Sequence, residues 1–345
     1  MKRILSIAVF SLAAASCINK VPIDFGEVTP QLVLNAQLDA QEGGQVVYLS
    51  QSNQATLKPL QGAQVAVLVD GKPFATAVEE PSDETDAFRV GTAYRFQGGF
   101  PAGSQVKVTA RKDAWDAWAQ ADVPPAPVIS AVDTLRTLEQ DLDESYEVFQ
   151  VRITFKDLPG SSYYRVGVRA EYRTTQIDAQ GETRELPVDY QALPMSGSKD
   201  PVLGGTAAGM SFFDLDKTYL AFSDDLFRDQ EYTLRLSMPA SWLSYYYFPL
   251  DQEFVPVYIY YTVTLVPWLE SISREEFDYL NALNNLENFG YTAQVIVEPT
   301  TLPTNVNGGM GLFTVRNRAE GAPMELPPVF YEVDYGPYWP YDDQD

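Results

Sequence analysis

The chain has 345 residues, 47 acidic side chains against 24 basic ones, a formal charge of −23, no histidine and one cysteine, Cys17. Such acidity repels the phosphate backbones that nucleic-acid binders neutralise with Lys and Arg, so nucleic acid is not an expected partner. The missing imidazole excludes Ser-His-Asp and Cys-His nucleophilic catalysis and removes the commonest zinc ligand, and a single thiol allows no disulfide within the chain.

Lys2 and Arg3 begin a leader pattern: an apolar run from Ile4 to Leu12 follows, then small residues up to Ser16. That order is the signature of a secretory signal peptide, expected over residues 1–16. The run is too short to span a bilayer, which takes about 20 apolar residues. Ala14-Ala15-Ser16-Cys17 resembles the bacterial lipobox, in which the thiol is acylated and becomes the new N-terminus, so Cys17 is the expected lipidation site. Two or more acyl chains make such an anchor lasting where one does not. Residues 17–28 read as a polar tether. Loss of Lys2 and Arg3 with the leader takes the basic count from 24 to 22 against 47 acids, a balance of −25.

Residues 29–125 hold short strand candidates at 31–38, 45–50, 63–69, 85–96 and 105–110, with Asp70-Gly71 as a hairpin turn. This spacing predicts a small sandwich of immunoglobulin or transthyretin type. Val123-Pro124-Pro125-Ala126-Pro127 stiffens the chain, and residues 126–134 are expected to be a linker. Beyond it, period-two alternation marks half-buried strands. The apolar members are Phe149, Val151, Ile153 and Phe155; then Tyr164 to Tyr172; then Tyr232 to Met238; then Val257 to Leu265. A larger antiparallel β domain over 135–318 is the consequence. Its one helix, near 273–286, opens on a Ser273-Arg-Glu-Glu276 capping box and carries Phe277, Leu280 and Leu283 on one face. The fold class is therefore all-β with one short helix.

Catalytic and metal motifs are absent as sets. Ser196-Gly-Ser-Lys199 has the spacing of penicillin-recognising hydrolases but sits between prolines without the partner motifs. Asp141, Asp143, Glu144, Asp224 and Asp225 lack the spacing of a calcium loop and read as solvated charge. Gly308-Gly309-Met310-Gly311 is not followed by Lys-Ser/Thr and reads as a turn. No catalytic residue, metal ligand or cofactor is assigned. Aromatic residues are the candidates for contact with a ligand or partner, because Tyr and Trp join a flat apolar body to a polar tip. They are Trp242, Tyr245, Tyr246 and Tyr247, and, in an acidic tail over 319–345, Tyr335, Tyr338, Trp339 and Tyr341.

Several stretches carry a family resemblance: Cys17 followed by Ile23-Asp24, Pro30-Gln-Leu-Val-Leu-Asn35, Gly62-Ala-Gln-Val65, Val123-Pro124, Phe222-Ser-Asp-Asp-Leu-Phe227, Glu231-Tyr-Thr-Leu234, Glu276-Phe-Asp-Tyr-Leu280 and Asn305-Val-Asn-Gly-Gly-Met-Gly-Leu-Phe313. Together they resemble the Bacteroidota lipoproteins grouped as domain of unknown function 4249, over roughly residues 17 to 318. The tail beyond is longer than the family pattern. The resemblance implies an outer-membrane lipoprotein, held by acyl chains on Cys17 and often accompanying a TonB-dependent transporter, with the cell surface favoured over the periplasmic face. It supplies no catalytic residues. The expected function is a non-enzymatic accessory or ligand-capturing subunit in nutrient uptake. Alternatives are a glycan-acting hydrolase with paired carboxylates and a structural or adhesive surface lipoprotein.

Overall fold

The computed structural model describes residues 29–41, 43–53, 56–80, 91–141, 144–204, 218–244, 254–290 and 302–333. These residues form nineteen strands, one α-helix and one 3₁₀ turn at Ala240–Ser244, so the described part of the chain is all-β with a single helix. The first eight strands are β1 (Leu32–Asp39), β2 (Gly44–Asn53), β3 (Thr56–Pro59), β4 (Gln64–Val69), β5 (Lys72–Glu79), β6 (Thr92–Gln97), β7 (Gln105–Lys112) and β8 (Trp115–Asp122). Strand β5 pairs with both β4 and β6, so the sheet β1-β2-β6-β5-β4-β7-β8 turns a corner there and folds over its own core. Leu34, Val47, Val67, Phe96 and Val108 fill that core from alternate positions of five strands. Asp70 and Gly71 form the expected hairpin turn, both at positive φ (49° and 74°), the geometry that matches the twist of the flanking strands.

The later strands are β9 (Val128–Asp141), β10 (Glu144–Lys156), β11 (Tyr163–Ile177), β12 (Thr183–Glu185), β13 (Asp189–Ala192), β14 (Ala221–Ser223), β15 (Glu231–Pro239), β16 (Tyr258–Ile272), β17 (Phe313–Glu320), β18 (Met324–Glu325) and β19 (Val329–Glu332). A three-stranded sheet β15-β10-β9 shares an apolar core with the long antiparallel pair β11–β16. The period-two positions read from the sequence are the ones buried: Phe149, Val151, Ile153 and Phe155 on β10, and Tyr164, Val166, Val168, Ala170 and Tyr172 on β11. An aromatic cluster seals one end. Tyr164 stacks on Phe222 at 5.4 Å and Phe227 on Tyr232 at 4.6 Å, so the Phe222-Ser-Asp-Asp-Leu-Phe227 stretch, the end of β14 and the turn after it, inserts two rings into the core.

Two expectations change. Residues 128–134, expected within a linker, open β9, because Val128 to Asp141 pairs along β10; proline stops the strand only as far as Pro127. Strands β5 and β8 escape the alternation test because their buried residues are only alanines, Ala77 on one and Ala117 and Ala119 on the other.

The helix α1 (Arg274–Gly290) starts where expected, with the Glu276 amide donating to Ser273 Oγ at 3.2 Å. The other half of the capping box is not made. The Glu276 carboxylate is fully buried and accepts from Thr314 Oγ1 (2.7 Å) and Arg316 Nε (2.7 Å), which ties the helix to β17. Among the described residues no helix is long and apolar enough to cross a membrane.

Strand β17 joins the two cores. Its first half pairs parallel with β1 (Ala36 with Phe313 through Asp39 with Arg316), and its second half antiparallel with β16 (Ser271 with Asn317 through Trp268 with Glu320). Just before it, Asn307 exchanges backbone hydrogen bonds with Trp118 of β8 (2.8 and 3.0 Å), and Met310 does so with Leu32 and Leu34 of β1 (2.9 Å each). The segment thus bridges the two free edges of the folded-over sheet. Gly308, Gly309 and Gly311 are needed for this approach: a Cβ on them would lie 2.3, 2.4 and 2.1 Å from the carbonyl oxygens of Asp116, Leu32 and Leu34. The turn read from the sequence is present, and it also serves as a backbone-to-backbone seam.

Candidate functional site

Where β1 and β2 face α1, a groove of about 520 Å³ opens, within the range of small-molecule sites. Period two on β1 sends Leu34, Ala36 and Leu38 into the core and leaves Asn35, Gln37 and Asp39 on the outer face. That face is one wall of the groove, with Tyr48 of β2, the cross-strand partner of Asn35. Helix α1 supplies the second wall through Tyr279, Leu280 and Leu283, and Tyr219 and Leu312 close the ends. Tyr219 is fixed by an amide clamp, since Asn284 of α1 accepts from its N–H and donates to its carbonyl, both at 2.9 Å. Burial pushes the Tyr279 hydroxyl above the ordinary tyrosine value, and the nearby Tyr219 adds to it.

Arg165 is the basic residue of the groove lining. It projects from β11 on the side away from the β10–β11 core, two residues before Gly167, whose missing side chain makes room for the Trp268 indole. The Arg165 guanidinium lies over Trp268 (5.4 Å) and Tyr219 (5.8 Å). Its one ion pair among the described residues is a 3.8 Å contact with Glu270 Oε2, beyond hydrogen-bonding range. Burial, and then repulsion from Arg316, hold its pKa below the usual arginine value.

Behind it lies a buried charge network. Arg318 donates twice to Glu270 Oε1 (2.9 and 2.6 Å) and covers Trp268 at 4.7 Å, while Arg316 joins Glu276 and comes within 3.8 Å of Glu270. Both glutamates are buried, at 1% and 0% exposure. Three guanidiniums therefore meet two carboxylates, and the excess positive charge faces the groove through Arg165. Isolating a carboxylate here would be costly, so each glutamate is held by its arginine.

The sequence-predicted contact residues are not the groove residues. Trp242, in the 3₁₀ turn, is half-buried against the β10–β15 core. Tyr245, Tyr246, Tyr247, Tyr335, Tyr338, Trp339, Tyr341 and the lipidation site Cys17 lie outside the described residues. Ser196 begins no helix; it is buried, pairs through its backbone with Ser237 and bonds through its hydroxyl to Ser198 (2.9 Å). Asp224 is buried and accepts from the Ser162 N–H at 3.0 Å. The acidic run at 141–144 falls outside the described side chains, and among the described residues no three acids, cysteines or histidines gather to hold a metal. Sequence reasoning missed Arg165, Tyr219 and Tyr279. The one available signal was the Glu276-Phe-Asp-Tyr-Leu280 stretch, where Glu276 enters the charge network and Tyr279 faces the groove.

None of the curated proteins matches this chain. Among solved structures, a DUF4785 family protein from Legionella pneumophila subsp. pneumophila str. Philadelphia 1 matches over 68% of this chain at 9% identity and a TM-score of 0.21. The matched part is 52% of that protein's length, so the chain spans about half of it, and the likeness carries no argument. The family model described as Domain of unknown function (DUF4249) matches residues 18–321, so the chain belongs to that family.

Proposed function

We propose that this protein is a lipid-anchored, non-enzymatic outer-membrane subunit that captures a ligand beside a TonB-dependent transporter. The groove between the β1–β2 face and α1 carries the proposal. It combines a shaped apolar wall with a few polar groups, the composition of a holding site. Cys17, placed after a leader-like stretch and without other thiols in the chain, supports anchoring. The charged groups next to the groove support holding over hydrolysis: Glu270 and Glu276 are committed to arginines, and Asp39 accepts from the Gln41 N–H at 2.8 Å.

The anchor is tested by mass measurement of the mature N-terminus. Acyl chains on Cys17 are expected; an unmodified thiol at that position sinks the anchoring claim. Partnership is tested by affinity capture of the whole chain from mild-detergent extracts of its own outer membrane. Co-recovery of a TonB-dependent transporter is expected, and recovery as a lone monomer in several detergents overturns it.

A further inference from the structure

We propose that the groove takes an organic acid, its carboxylate paired with Arg165 and its apolar body lying on Leu283 and the rings of Tyr48 and Tyr279. This rests on the ligand-capturing reading and names the chemical class of the ligand. The first ground is an unspent donor set. A guanidinium presents five N–H groups in a planar fork that matches a carboxylate. Arg165 donates no side-chain hydrogen bond to any described residue, and its single ion pair among them is at 3.8 Å. Its neighbours Arg316 and Arg318 have taken the glutamates at 2.7 and 2.6 Å.

The second ground is orientation. Trp268 and Tyr219 flank the Arg165 guanidinium, which holds the fork without occupying its hydrogen-bond edge. With its side chain only 22% exposed, Arg165 meets an incoming anion where water screens poorly, and a charge-assisted pair there is stronger than one in solution.

The third ground selects a monoanion with an apolar body. Arg165 is the one basic group among the lining residues, Asp39 shares the lining, and the whole chain carries −23. Phosphate, with more charge and no apolar part, would meet that repulsion and gain nothing from Leu283 and the tyrosine rings. A carboxylate with a greasy or aromatic remainder uses both.

The test is titration calorimetry on the whole chain carrying Cys17→Ser, with phenylbutyrate, phenylbutyramide and inorganic phosphate as probes. The acid is expected to bind at least about tenfold more tightly than the amide, and phosphate not measurably. Arg165→Gln should remove the preference while leaving amide binding in place, and Arg165→Lys should restore part of it. Should Arg165→Gln fail to fold, Gln37→Glu serves in its stead, adding a like charge at the exposed β1 wall that should weaken the acid more than the amide. Equal binding of acid and amide, an unchanged preference in the charge variants, or phosphate binding as tight as the acid overturns the carboxylate assignment alone. If neither acid nor amide binds, the assignment fails and so does capture by this groove.

Discussion

The stretch from Asn305 to Arg318 fastens to the N-terminal sandwich and to the β11–β16 body in two different ways. Against the sandwich its polar contacts run mainly through backbone: Asn307, Met310 and Leu312 bond to Trp118, Leu32, Leu34 and Ala36 main-chain groups, glycines let the chains close, and Val306, Phe313 and Val315 enter the sandwich core. Against the body it adds side chains to the ladder with β16, with Thr314, Arg316 and Arg318 reaching Glu276 and Glu270. A backbone seam demands the absence of side chains and is indifferent to pH; a charge network demands particular side chains and responds to protons. The groove sits where the two kinds of fastening meet, with Leu312 from the seam and Arg165 from the network in its lining.

Breaking the seam should have the largest effect. Gly311 holds φ at +120°, and a Cβ there would lie 2.1 Å from Leu34 O, a backbone atom that cannot step aside. Gly311→Ala is expected to cost more than about 4 kcal/mol, among the severe single-site effects. Gly103→Ala is the control, since Gly103 also has positive φ (+81°) but nothing within 4 Å of the added carbon; about 1 to 2 kcal/mol is expected from conformation alone. Urea unfolding midpoints of the two variants separate close approach from backbone strain, and equal losses would refute the seam.

The network should break next. Glu276→Ala leaves Arg316 and Thr314 facing a buried gap and is expected to cost about 3 to 5 kcal/mol, whereas Glu276→Gln keeps an acceptor for Thr314 and should cost less. The same pair of proteins reports on charge. Burial lifts the Glu276 carboxyl above its ordinary 4.5, more than Arg316 and Thr314 pull it down, and Glu270 adds to the rise. A raised folded-state value means the folded chain takes up this proton first as pH falls. The group's contribution is then fully present below 4.5 and is lost as pH climbs through the raised value. The stability gap, wild type minus Glu276→Gln, should therefore shrink from pH 4.5 towards neutrality. A widening gap would mean that the Arg316 ion pair outweighs burial.

These two fastenings also differ in how well the sequence announces them. Strands β10, β11, β15 and β16 are legible because one face is buried and every second residue must be apolar; Ile153 and Val168 could sit nowhere else. The same alternation hides the site, since Asn35, Gln37 and Arg165 occupy the polar positions of their strands and look like solvated residues. Only tertiary structure brings a second layer, α1 and Tyr219, over that polar face. The seam is half legible. Asn305-x-x-Gly-Gly-x-Gly-x-Phe313 stands out as a motif, but its glycines suggest only a turn until the carbonyls of Leu32 and Leu34, some 270 residues earlier in the chain, are placed beside them. The leading aromatic candidates stand out by chemistry rather than periodicity. Of these, Trp242 packs against the core.

The mildest change tests whether the network needs its shape as well as its charge. Arg318 bonds Glu270 Oε1 through both Nε and Nη2 and stands over the Trp268 ring at 4.7 Å. Lysine keeps the positive charge but has neither the fork nor the plane. Because Arg318 is about a third exposed (31%), water compensates part of the loss, and Arg318→Lys is expected to cost only about 1 kcal/mol. Arg318 and Arg165 both stand over the indole, so the same substitution should also shift the tryptophan emission without lowering the protein's affinity for phenylbutyramide. A cost near zero with unchanged emission would reduce the network to simple charge pairing. A cost matching that of Glu276→Ala would make Arg318, rather than Arg316, the group on which the buried glutamates depend.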